Sequence, residues 1–162
     1  MDDGRHDFDF LAGTWHVSNR TLRDMTPGAP ETWLEFESTA TSRPVLNGLG
    51  NIDEYHVAEH PNGGEYWGFA LRLFEPRSGL WRIWWASNPG RGTLDPPVSG
   101  RFVDDEGHFE GDDVVAEHEV KVRFRWSDIT ADSARWEQSL SFDGGRSFAS
   151  NWVMGFRRAG QA

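Results

Sequence analysis

The sequence predicts an all-β fold, a small barrel or a sandwich, and three observations support that prediction. Apolar and polar residues alternate with a period of two along most segments, the spacing of a half-buried strand. Glycine, proline, asparagine and aspartate punctuate the chain at short intervals, and no long helical pattern appears after residue 12. Nine tryptophans are spread over almost every strand-like segment, at Trp15, Trp33, Trp67, Trp81, Trp84, Trp85, Trp126, Trp136 and Trp152. Trp concentrates in cores and in sites that hold flat apolar ligands, so an interior this aromatic points toward a small-molecule pocket.

The elements follow in order. Residues 8–12 read as one helical turn, and Gly13-Thr14-Trp15 then opens a strand running to about Asp24. A loop with Pro27, Gly28 and Pro30 leads to a second strand over residues 32–42, broken near Pro44. Asn47-Gly48-Leu49-Gly50 is a turn, Asn51 to Val57 is extended, and His60-Pro61-Asn62-Gly63-Gly64 is a hairpin signal. Two strands, Glu65 to Phe74 and Leu80 to Ser87, come next. Asn88 to Pro97 is the longest Gly/Pro-rich stretch, and such loops at a barrel mouth often cover ligands. Strands over 98–103 and 108–111 flank an Asp-Asp-Glu-Gly turn. Residues 118–127 alternate well, with Val120, Val122, Phe124 and Trp126 on one face. Strands over 135–142 and 148–157 form a last hairpin, giving nine or ten strands in one domain, 1–162.

Composition excludes several functions. The net charge of −10 disfavours nucleic acid and anionic membrane surfaces, which need clustered Lys and Arg. Without cysteine there is no disulfide, thiolate chemistry or Cys-ligated metal. The acidic start lacks a signal-peptide pattern and no apolar run is long enough for a membrane helix, so a cytoplasmic location is expected.

Ser141-Phe142-Asp143-Gly144-Gly145-Arg146-Ser147-Phe148 resembles the Asp-box hairpin of sialidase propellers. A propeller needs several copies and there is one here, so it reads as a structural turn. Phe10 to Trp15 resembles the Gly-x-Trp opening of lipocalins and related calycin barrels. That resemblance implies that Trp15 closes one barrel end and stacks on an arginine of the last strand, Arg157 or Arg158. The segments TLDPPVSGRF, VRFRWSDIT and ARWEQSLSFDGGRSFASNWVMGFRR are similar to an uncharacterised bacterial family of lipocalin-like barrels. The resemblance spans nearly the whole chain and implies a single antiparallel up-and-down barrel. It carries fold rather than activity. Nitrobindins share this shape and hold haem through a histidine near the C-terminus. No histidine follows His118, so haem held that way is not expected, and no cofactor or metal is.

None of His6, His16, His56, His60, His108 and His118 has metal-site spacing. His60 and His108 lie in or beside turns, as solvated groups, whereas His16 and His56 lie within strands. Glu54-Tyr55-His56 is the densest polar cluster, and Glu54 and His56 share one face. A carboxylate beside an imidazole suits acid–base work, although two solvated groups on an outer face give the same pattern. Arg72, Arg123, Glu137, Gln138 and Asn151 sit mid-strand among aromatics, and the sequence leaves their inward or outward direction open. Gln138 shares a face with Trp136 and Leu140 and is the polar residue most expected to line a pocket. Trp84-Trp85 places one indole on each face, so one must be covered by the helical turn, a loop or a homodimer partner.

The expected function is binding of an apolar or polycyclic small molecule. Trp67, Trp85, Phe124, Trp126 and Trp152 would provide walls, with Tyr55, Arg72, Asn88 and Gln138 for polar contacts. The alternative is a cofactor-independent cyclase, isomerase or lyase of secondary metabolism, acting on a polyketide- or terpene-like substrate in the same cavity. Glu54 with His56, or Arg123 with Glu137, would then be catalytic. A third reading is a structural barrel whose tryptophans only fill the core.

Overall fold

The computed structural model describes residues 3–160. Ten strands follow one another in chain order: β1 (Gly13–Leu22), β2 (Trp33–Val45), β3 (Gly50–Val57), β4 (Tyr66–Glu75) and β5 (Leu80–Ser87), then β6 (Val98–Val103), β7 (Glu106–Val115), β8 (His118–Ser127), β9 (Ser133–Ser141) and β10 (Ala149–Arg158). Each pairs antiparallel with its chain neighbour, and β1 pairs with β10 to close the barrel. The fold is an antiparallel up-and-down, lipocalin-like barrel, closed so that every strand has a partner on each side over part of its length.

Two elements differ from the sequence reading. β2 runs through Pro44 to Val45, because its pairing with β1 ends at Ser42. Beyond that point one side of β2 has no partner strand, and a proline is tolerated there. β7 extends to Val115 rather than stopping at Gly111. Its Asp-Asp-Val-Val stretch hides the alternation, but cross-strand pairing with β8 carries it, including an Asp112–Lys121 ion pair. The β6–β7 hairpin turns on Asp104 and Asp105, both at positive φ, as a tight two-residue turn requires.

The N-terminal segment plugs one end of the barrel. A short 3-10 turn, Asp9–Leu11, places Phe8 and Leu11 in the core. Phe8 meets Trp81 and Phe102 edge-on, with ring centroids 5.0 and 4.9 Å away, and stacks near Phe109 at 5.7 Å. Trp15 donates its indole N–H to Leu11 O at 2.8 Å. The arginine above it is Arg158, whose guanidinium carbon lies 4.2 Å from the ring centroid. Arg158 also donates to Phe10 O, Ala12 O and Ala131 O, which ties the plug to the barrel wall. The Asp143 hairpin is structural: its carboxylate accepts from the backbone N–H of Arg146 and of Ser147 and from the Ser141 hydroxyl.

Candidate functional site

The register decides which side chains face inward. On β3, Asn51, Asp53, Tyr55 and Val57 are buried while Glu54 is exposed. On β8 and β9 the inward faces carry Phe124 and Trp126, and Trp136 and Gln138. These residues enclose a cavity of about 70 Å³ in mid-barrel, completed by Trp85, Trp152, Met154 and others. A second space of about 150 Å³ lies at the end opposite the plug, against Phe36, His60 and Tyr66. Tyr55 and Trp152 border both spaces and form the partition between them.

The partition is held by one amide. Tyr55 Oη donates to Asn19 Oδ1 at 2.7 Å, and Trp152 Nε1 donates to the same oxygen at 3.1 Å. Asn19 Nδ2 in turn donates to Ser38 Oγ at 2.8 Å. Burial pushes the Tyr55 phenol far above its ordinary value, so it remains a proton donor. Around it, Tyr66, Trp85 and Trp152 approach edge-on, with centroids 5.9, 5.8 and 6.2 Å from the Tyr55 ring. On the far side, Gln138 Nε2 donates to Asn151 Oδ1 at 3.3 Å, at a bulge in β10.

The plugged end of the cavity is polar. Arg72 Nη2 lies 2.7 Å from Asp53 Oδ2, and both side chains are more than nine-tenths buried, at 6% and 9% exposure. Arg72 Nη1 donates to Asn51 Oδ1 at 2.9 Å. The guanidinium also faces the Phe8 and Trp126 rings, 5.1 and 5.9 Å from their centroids. At the open end, burial first and the charge of Asp113 second raise the Asp95 pKa, and Asp95 N donates to Trp85 O.

Seven of the expected ligand-binding residues therefore line the cavity: Tyr55, Arg72, Trp85, Phe124, Trp126, Gln138 and Trp152. Two do not. Trp67 is 45% exposed on the outer wall, where it stacks on His56 with centroids 3.9 Å apart. Asn88 is exposed in the loop after β5, and its side chain accepts the Trp67 backbone N–H.

The four expected catalytic residues all lie outside this cavity. Glu54 is exposed, and His56 pairs with Glu65 at 3.2 Å on the outer wall. Arg123 pairs with Glu110 at 2.6 Å and covers the Phe148 ring, and Glu137 pairs with Arg135 at 3.1 Å. The physical reason is the period of two: Tyr55, Phe124 and Gln138 point inward, so their immediate neighbours point outward. Of the two turn histidines, His60 is not simply solvated. It lies against Phe36 and Tyr66 at the open end, and burial lowers its pKa.

Asn19, Asp53 and Trp136 are among the inward residues that the site reading lacked. Each had a visible signal. Asn19 shares a face with Trp15 and Val17, and Asp53 shares one with Tyr55 and Val57. Among the described residues, no group of three or more His, Asp or Glu is arranged to hold a metal. No helix there is long and apolar enough to cross a membrane.

No protein-family model matches the chain, and no curated protein matches it. Solved structures do share its shape. The S-type phycobiliprotein lyase CPES from Guillardia theta superposes with a TM-score of 0.59 at 9% identity, covering 99% of this chain and 97% of that one. A redesigned β-barrel superposes with a TM-score of 0.51 at 9% identity, covering 98% and 96%. At this identity the likeness concerns the fold alone.

Proposed function

We propose that the barrel binds a flat, apolar small molecule in its interior, with Trp85, Phe124, Trp126, Trp136 and Trp152 as the walls. One observation carries this reading: Tyr55 and Trp152 line both the 70 Å³ cavity and the 150 Å³ space at the open end. Each space alone, and the two joined, is smaller than the ~300–1,000 Å³ of ordinary ligand sites, so a small ligand is the fit. Swinging the two rings joins the spaces into one aromatic slot that opens at the end away from the plug. A phycobiliprotein lyase has a barrel of similar shape, and a flat conjugated ligand suits these aromatic walls.

Binding is preferred over catalysis because the acid–base candidates lie on the outer wall. A cyclase, isomerase or lyase here would have to work through Asp53, Arg72 and Tyr55, the ionisable groups on the cavity wall. The test is a tryptophan fluorescence titration with pyrene, a linear polyene and haemin. Saturable quenching at micromolar concentration is expected, weakened at least tenfold in Trp85→Ala and Trp152→Ala. Linear, unsaturated quenching by every probe would reject the reading.

A further inference from the structure

The polar cluster at the plugged end has hydrogen-bonding capacity that the protein leaves unused. Asp53 and Arg72 meet through one contact, Oδ2 to Nη2, and Arg72 Nη1 is taken by Asn51. Asp53 Oδ1 and Arg72 Nε have no hydrogen-bond partner among the described residues, though both atoms are buried. Ser42 Oγ is in the same condition, and Ser42 stands directly opposite Asp53 in the β2–β3 register. Buried polar atoms are nearly always paired, so the three orphans call for an explanation, although Ser42 lines the adjoining space at the plugged end rather than the cavity itself. They comprise a strong acceptor, a strong donor and a hydroxyl that serves as either. Asp53 and Arg72 both line the cavity.

We propose that Ser42, Asp53 and Arg72 form a head-group subsite for an uncharged polar group that both donates and accepts hydrogen bonds, such as a primary carboxamide or a lactam. Its N–H would donate to Asp53 Oδ1 and its C=O would accept from Arg72 Nε, while the apolar body lies along the tryptophan walls. The proposal rests on the reading that the cavity binds an apolar molecule, and it names the chemistry of that molecule's inner end.

Charge argues for a neutral group. The carboxylate and guanidinium already cancel each other, so an added carboxylate or ammonium would sit in an apolar interior without a counter-charge. An anion is opposed further by Asp95 and Asp113 at the open end and by the net charge of −10. An ammonium suits that acidic end but would meet Arg72 at the inner one.

Three probes with one ring system test the proposal by isothermal titration calorimetry: naphthalene, 2-naphthamide and 2-naphthoate. The amide is expected to bind about tenfold tighter than naphthalene, the yield of two modest net hydrogen bonds. The naphthoate is expected to bind no tighter than naphthalene. In Asp53→Leu/Arg72→Met, which replaces the pair by apolar groups, naphthalene binding should persist and the amide preference should vanish. Ser42→Ala, a smaller change, should reduce the preference about threefold. If that double variant does not fold, the wild-type comparison and Ser42→Ala still decide. Equal affinity for amide and naphthalene overturns the head-group subsite and leaves the apolar cavity standing. A preference for the naphthoate overturns the neutral-group assignment. Absence of binding by all three overturns the cavity reading and this one with it.

Discussion

The Tyr55 hydroxyl donates to Asn19 Oδ1 at 2.7 Å, a bond that passes over β2 to join β3 to β1 inside the barrel. Both residues are nearly inaccessible, at 3% and 4% exposure, so neither has water as a substitute partner. The same oxygen takes the Trp152 indole N–H. Asn19→Leu would thus remove the shared acceptor of one buried and one half-buried donor. It should cost about 2–4 kcal/mol in urea unfolding, from ~1–3 kcal/mol per unsatisfied group. Asn19→Asp keeps the acceptor but loses the donor to Ser38 and buries a carboxylate without a counter-charge, so it should also destabilise the barrel. A loss below about 0.5 kcal/mol for the leucine variant would show that the partition does not depend on this amide.

Arg158 and Arg157 are adjacent in sequence and opposite in role. Arg158 lies over Trp15 and reaches three backbone carbonyls, whereas Arg157 is exposed beside His16. Arg158→Ala should lower stability by about 2 kcal/mol, through the lost cation–π contact and charged hydrogen bonds. Arg157→Ala should stay within about 0.5 kcal/mol of the parent. Arg158→Lys keeps the charge but not the planar fork, and should fall between them. Thermal denaturation of the three variants side by side checks the ordering, and equal effects of the two alanines would contradict it.

The barrel was readable because closure needs little more than alternation, tight turns and a plug, all of which are local patterns. Asp104-Asp105 and Asp143-Gly144 mark their hairpins by residue type, and Gly13-Thr14-Trp15 marks the plug. The site was readable where aromatic and polar residues share a face, as at Trp136 and Gln138. Where polar character alone was followed, the residues chosen lie outside the cavity. Glu54 and His56 drew attention because they are ionisable, but a solvated outer face is the cheapest place for such groups. Asp53 went unnoticed because a buried carboxylate makes sense only with its partner, and Arg72 is brought to it by the β3–β4 register. A one-residue slip in register would exchange the two sets.

Gly68 sets the position of Trp85. A Cβ at Gly68 would overlap Trp85 Cη2 and Cζ2, so the indole lies flat against the glycine backbone. The obstacle is a side chain that can swing, and the free space it can swing into is the cavity. Gly68→Ala should therefore fold, at a cost of about 1–3 kcal/mol for overpacking. It should also reduce naphthalene affinity at least tenfold and alter the near-ultraviolet circular dichroism of the tryptophans. Unchanged affinity would place the ligand away from Trp85. Gly100→Ala is a useful contrast. There the added Cβ meets the His108 backbone carbonyl, which cannot move aside, so loss of folding is expected.

Acid should weaken the barrel partly through Asp143. Hydrogen bonds from the Ser147 hydroxyl and amide and from Ser141 hold its pKa well below the ordinary 3.8. A group whose folded pKa is depressed contributes stability that is complete above the unfolded value and is lost as pH falls through the folded one. The window therefore opens near pH 3.8 and extends downward. Asp3, held at about 2 by Arg5, titrates in the same range and will add to the slope. Asp143→Asn removes one titrating group but keeps an acceptor for the turn. Its urea midpoint should thus fall less steeply than that of the parent between about pH 4 and about pH 2. Parallel slopes would mean that the turn bonds to Asp143 are formed equally in the unfolded chain, since only a difference between the two states makes stability depend on pH.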